Sequence, residues 1–245
     1  MMYKNWLPQV LAAVRRWDAL QPGPMLGVME SWDELLPPFV RAQVVGQVVR
    51  KLEAAVADWN PRKKRQSQQP PHSWLFPWLP FLPAHQLDAK GTGLVAEVRR
   101  KFRQLIDVWE FERGVVPGLQ PWQEVLGGEW RRLMMSHVLP AMGKYLRANF
   151  RVDPADQEPY LGVLTGVLAW EPMLGGGVLG EVVAQNVLPM WNAKLQEWLA
   201  LDEADLGEVA EWYGWWRGVV LKDLAASEGA VGHELDKGLR IMNLV

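Results

Sequence analysis

Trp6-Leu7-Pro8-Gln9-Val10-Leu11-Ala12-Ala13-Val14-Arg15-Arg16-Trp17 sets a pattern that returns four more times along the chain. With Pro8 as anchor, apolar residues stand two and six places on, at Val10 and Val14, and a tryptophan nine places on, at Trp17. The same frame fits Arg50 with Leu52, Val56 and Trp59, and Arg100 with Phe102, Ile106 and Trp109. It fits Pro140 with Met142 and Leu146, where Phe150 stands one place late, and Pro189 with Trp191, Leu195 and Trp198. Steps of four and three place these side chains on one face of an α-helix, whereas a strand would require alternation. The anchors are 42, 50, 40 and 49 residues apart, room for two antiparallel helices and their turns. The predicted fold is therefore all-α, an elongated array of antiparallel helical hairpins in degenerate repeats of about 45 residues. The predicted core comprises Val14, Trp17, Val56, Trp59, Ile106, Trp109, Leu146, Leu195 and Trp198.

Helices are expected over 5–20, 38–59, 92–113, 128–150, 157–170, 178–200, 205–225 and 229–243. Pro140 and Pro189 fall inside apolar-periodic segments, where a kink is expected rather than a break. Asp153-Pro154 reads as a boundary before a helix start, and Ser227 as an N-cap. Trp32 and Trp122 each open a W-x-x-[LV]-L segment 18 residues before an anchor, and Trp78 and Trp170 each open W-x-P-x-L. These read as tight turns in which the proline ends a helix and the tryptophan packs the corner. No segment combines alternation, β-branched residues and hairpin turns, so no β-sheet is predicted. Residues 60–72 are polar, basic and proline-bounded, which predicts a flexible basic loop within a single domain of 1–245.

Composition narrows the function. Charged residues make up 22% and the net charge is −2, so no global field draws the chain onto nucleic acid. There is no cysteine, hence no disulfide framework, thiolate metal site or cysteine nucleophile. No apolar run reaches the roughly 18–20 residues that cross a bilayer, and the N-terminus lacks a signal-peptide layout. The chain is expected to be soluble and intracellular, with no membrane and no small-molecule substrate.

Catalytic signatures are missing. His72, His85, His137 and His233 lack metal-ligand spacing, and neither H-E-x-x-H nor a phosphate-binding loop is present. The acidic pairs Asp33/Glu34, Asp107/Glu110 and Asp202/Glu203 need no more than capping or solvation. No cofactor, metal or enzymatic role is expected. Fifteen tryptophans invite a base-stacking reading, but those in the repeat register belong to a core face. Trp74, Trp78, Trp130 and Trp215 lie outside the frame and are the candidate partner contacts. Arg62, Lys63, Lys64 and Arg65 form a basic run open to solvation, nuclear import or phosphate contact. The helix over 92–113 adds Arg99, Arg100, Lys101 and Arg103, offset by Asp107, Glu110 and Glu112, so an RNA-binding helical module is the alternative.

The order of Trp6-Leu7-Pro8, Leu35-Leu36-Pro37-Pro38-Phe39, His72-Ser73-Trp74-Leu75-Phe76-Pro77-Trp78-Leu79-Pro80 and Leu119-Gln120-Pro121-Trp122 resembles the GC-rich-sequence-DNA-binding-factor-like domain of the tuftelin-interacting protein family. Val138-Leu139-Pro140, Trp212-Tyr213 with Trp216, and Ile241-Met242-Asn243 continue the match in order across essentially the whole chain. The resemblance implies a nuclear G-patch splicing factor that recruits a DEAH-box RNA helicase to release the excised intron lariat and dismantle the spliceosome. It also implies spliceosomal protein partners, including one of the GC-rich-sequence-factor type. The G-patch itself has no counterpart here: Gly175-Gly176-Gly177 is an isolated turn, and the match is to the scaffold portion alone. The basic run at 62–65 departs from the family's blocks.

Overall fold

Every regular element among the described residues is helical, and no strand occurs among them. The structure, a computed structural model, describes residues 2–60, 63, 69–225 and 229–244, with backbone alone for 2–4. Ser227 lies outside the described residues, as does most of the basic run: Arg62, Lys64 and Arg65. The residues group into two compact units, 1–108 with 117–131, and 109–116 with 132–245.

In the first unit, Pro38–Asp58 packs against Met2–Arg16 and Leu94–Ile106. The Pro38–Asp58 helix buries a valine-rich face that includes Val44, Val48, Leu52 and Val56. Its C-terminal end is closed by Lys101, whose Nζ donates to the Ala57 and Trp59 carbonyls at 2.7 Å each. Gln86 closes the opposite kind of end: its Oε1 accepts from the Leu94 N–H at 2.8 Å, capping Leu94–Ile106. Glu129 is buried and takes Arg99 at 2.9 Å and Lys90 at 3.5 Å.

In the second unit, Gly176–Asn186 packs against Leu139–Asn149, Leu188–Leu199 and Ala230–Met242. Its core is aromatic. Trp191 stacks on Trp212 at 5.0 Å and 6°, Trp216 meets both edge-on, and Phe150 closes on Trp216 at 6.3 Å. Such offset and edge arrangements add to the area each ring buries. A smaller cluster is built on Phe111, with Tyr145 and Trp170 at 5.7 and 5.6 Å. The Trp109 and Trp170 indoles both donate to the Gly114 carbonyl, at 2.9 and 3.1 Å. Glu158–Leu168 lies over this turn, and Gly166 is the close-approach point.

The frame positions fall in one physical class. Anchors Pro8, Arg50, Arg100, Pro140 and Pro189 are exposed, while Val14, Val56, Ile106, Leu146 and Leu195 are all buried. Trp17, Trp59 and Phe150 each stand one residue past a helix end and donate their backbone N–H to the carbonyl four residues back, at 2.8–3.0 Å. Trp109 is buried as well; Trp198 is only half-buried.

Several boundaries differ from expectation. The helix over 92–113 ends at Ile106, and Phe111–Arg113 is a separate 3-10 turn closed by Gly114 at φ 76°. The segment 178–200 is broken at Val187, because Pro189 cannot donate to the ladder. Before Pro140 the chain stays helical through a π turn, Met134–Val138, which absorbs the missing donor. A second π turn, Trp216–Val220, ends the segment expected over 205–225. Gly23–Trp32, Pro71–Trp74 and Gln120–Leu126 are additional helices, each with proline in its first turn.

Candidate interaction surfaces

Trp74 and Trp78, read from sequence as partner contacts, are 1% and 0% exposed. They point inward because the Pro70-Pro71 and Pro77 turns fold this segment onto the unit: Trp78 packs on Trp17 at 5.0 Å, and Trp74 donates to the Gln69 carbonyl at 3.2 Å. Trp130 is buried too, and Trp215 half-buried. Lys63 is exposed; the rest of the basic run is not described.

Three of the four cations of the basic helix make internal contacts. Arg99 pairs with Glu129, Arg100 is held by Glu97, and Lys101 is buried, where desolvation lowers its pKa. Only a mixed-charge face is left, and a phosphate backbone would gain little from it. The acidic pairs separate similarly. Asp33 is held bidentately by Arg41 at 2.6 and 3.1 Å, while Asp107, Glu110, Asp202 and Glu203 are exposed. His85 and His233 are exposed and His137 half-buried; His72 packs against Phe76 at 6.5 Å and beside Gly118, and burial lowers its pKa. No cluster of metal-ligating side chains occurs among the described residues, and no helix there is long and apolar enough to cross a membrane.

Eleven of the fifteen tryptophans are buried, leaving Trp6, Trp32, Trp198 and Trp215 with accessible surface. Trp6 and Trp32 pack at 5.7 Å in the first unit, and the turn after Trp32 exposes Leu35 at 73% together with Phe39. This is an exposed apolar surface.

Trp198 lies in a shaped site. A cleft of about 490 Å³ in the second unit is bounded by Asp153-Pro154-Ala155, by Lys194, Glu197, Trp198 and Leu201, and by Glu208. That volume is within the usual range for ligand sites. The indole of Trp198 is braced from behind by Trp212, edge-on at 5.8 Å. The loop wall is preset by buried Gln157, which accepts from the Asp153 N–H at 3.0 Å and donates to the Arg151 carbonyl at 2.9 Å. Asp153 in turn accepts from the Ala155 N–H at 3.0 Å. Asp205 caps the helix Leu206–Trp215, accepting from the Gly207 and Glu208 N–H groups, which fixes Glu208 at the rim. Lys194 is paired with Glu197, and its pKa is raised by that hydrogen bond, by Glu197's charge and by Asp153. Three carboxylates therefore face one ammonium around an aromatic surface.

Sequence reading assigned Trp198 to the core and passed over Gln157 and Leu201, while the acidic cluster at 202–211, which includes Glu208, reads as suited to electrostatic choice of protein partners. The available signal was Asp202-Glu203 with Asp205 and Glu208, an acidic stretch soon after the tryptophan.

Residues 1–195 match the family described as GC-rich sequence DNA-binding factor-like protein. Among curated relatives, a G-patch domain-containing protein of Schizosaccharomyces pombe is 27% identical over 240 residues, 97% of this chain and 29% of its own length. Tuftelin-interacting protein 11 of Danio rerio is 28% identical and that of Mus musculus 27%, each over 246 residues, 99% of this chain and 28% of the relative. The chain thus spans under a third of the length of these relatives. It belongs to the GC-rich sequence DNA-binding factor-like family.

Proposed function

We propose that this chain is a non-catalytic, nuclear scaffold domain of a pre-mRNA splicing factor. In this reading it docks protein partners in the late, intron-lariat spliceosome, where a DEAH-box RNA helicase engages the longer protein through its G-patch. The observation that carries the proposal is similarity along nearly the entire chain to tuftelin-interacting protein 11 and a G-patch protein. Family membership supports the splicing context; the disassembly role and the individual partners are the proposed refinement.

The helices are further proposed to follow a degenerate hairpin repeat. Supporting this are the exposed anchors, the buried positions six places on, and the shared helix-end geometry of Trp17, Trp59 and Phe150. Stacked repeats leave long surfaces free, which suits docking rather than turnover. RNA binding gains little support from helix Leu94–Ile106, three of whose four cations, Arg99, Arg100 and Lys101, are engaged internally.

Affinity capture from nuclear extract with the tagged chain is the test. Retention of a GC-rich-sequence-factor-like protein or another lariat-complex component is expected; recovery of none of them overturns the proposal.

A further inference from the structure

We propose that the Trp198 cleft receives a short, extended, lysine- or arginine-bearing segment of a partner protein. The inference rests on the scaffold reading and names the chemistry of one docking site within it. Three observations converge. The cleft is concave and of ligand scale, about 490 Å³. Its surface is apolar where a side-chain stem would lie: Trp198, Pro154 and Leu201, the last 61% exposed. Its rim is net acidic where a cationic head would end, with Asp153 and Glu208 beside the Lys194–Glu197 pair.

Lysine and arginine have this divided character, an aliphatic stem ending in a charge. A cation over an indole face gains a further attraction. The loop after Leu201 extends the negative field with exposed Asp202 and Glu203, so a segment with several cations is favoured over one. The same field repels a phosphate backbone, which separates this site from an RNA groove. The walls are preset by the Gln157 and Asp205 hydrogen bonds, so little ordering cost attends binding.

The test is fluorescence anisotropy on the whole chain with a labelled Gly-Arg-Lys-Leu-Pro-Arg-Lys-Gly octapeptide. A counterpart with glutamate at every cation and an oligouridine serve as comparison probes. The variants are Glu197→Lys with Glu208→Lys, both exposed, and a matched control, Glu30→Lys with Glu34→Lys, carrying the same charge change in the other unit. The basic peptide is expected to bind the native chain, and the cleft variant to lose at least about tenfold in affinity while the control loses less than about threefold. Leu201→Asp is expected to weaken binding despite its added negative charge, which separates apolar contact from bulk attraction. Equal losses in cleft and control variants, undiminished binding by Leu201→Asp, competition by oligouridine, or no binding up to millimolar protein each overturn the site. Native-level capture of the nuclear assembly by the cleft variant would remove this site while leaving the scaffold role intact; failed capture by a chain that binds the peptide would do the reverse.

Discussion

Gly166→Ala and Gly162→Ala make the same change in one helix, Glu158–Leu168, and are expected to act in opposite directions. A methyl at Gly166 would stand 2.5 Å from the Glu112 carbonyl carbon, and closer still to the Phe111 oxygen and the Glu112 Cα. Carbon–carbon contacts are optimal at about 3.5–4.0 Å, so helix and turn must part by about 1 Å. These obstacles are backbone, in a turn pinned by the Phe111, Tyr145 and Trp170 rings and by two indoles on the Gly114 carbonyl. Overpacking typically costs about 1–3 kcal/mol, and loosening the ring cluster places this site at or above the upper end. Gly162 has nothing within 4 Å, so alanine there brings only its helix preference, a gain of up to about 1 kcal/mol. At roughly 2–4 °C per kcal/mol, calorimetry should show Gly166→Ala lowering Tm by about 6–12 °C and Gly162→Ala raising it by a few degrees. A Gly166→Ala protein melting within about 2 °C of the native chain would refute the close approach, as would an equal fall for Gly162→Ala.

Trp74→Ala and Trp78→Ala should act as core deletions, each costing about 3–5 kcal/mol in urea denaturation; normal stability with selectively lost partner capture would contradict the inward placement. Lys101→Met keeps the apolar stem but strips the Ala57 and Trp59 carbonyls of their donor, and chemical denaturation should register a loss of about 2–3 kcal/mol. His72 takes up its proton at lower pH when folded than the ordinary 6.5 at which the unfolded chain does, because burial opposes the charge. Stability should therefore fall as pH drops through and below that value, and His72→Asn should flatten this part of the slope between pH 7.5 and 5; an unchanged slope would exclude His72 as its source.

The helix class and the interior face were legible because a period of three and four survives degeneration. One large residue in each frame is enough to mark Val14, Val56, Ile106, Leu146 and Leu195 as inward. Corners were legible as corners: Trp170 follows the helix Glu158–Leu168 and is wholly buried. Short helices were missed because four to ten residues give periodicity too little length, although a proline in the first turn marked Gly23–Trp32, Pro71–Trp74 and Gln120–Leu126. Trp78 carried two readings, corner packing and partner contact, and its burial fits the first; the direction of Trp74 was hidden for a different reason. Position outside a repeat frame says nothing about burial when consecutive prolines fold the segment back on its own unit. Lys101 misled likewise, since a cation in a basic stretch reads as surface until the carbonyls of a helix end, 42 and 44 residues earlier, claim it.

Trp198 departs from the other tryptophan positions of the sequence frame. Its counterparts Trp17, Trp59, Trp109 and Phe150 are buried, while Trp198 is half-buried and meets Trp212 in an edge-on pair. What differs is the chain that follows. After Phe150 comes Val152, buried, and after Trp109 comes Phe111, also buried, so the next apolar side chain helps close the corner. After Trp198, Leu199 is only half-buried and Ala200, Leu201, Asp202 and Glu203 are all exposed, and the ring is left partly open beside the Asp153 loop. Withholding a cover from an aromatic surface costs stability and gives the fold nothing, so a sequence that keeps the tryptophan and surrounds it with carboxylates departs from internal consistency in two ways at one place. Such departures are expected at functional sites, and this reasoning ranks the Trp198 cleft above the Trp6–Trp32 surface as the place to look for a partner.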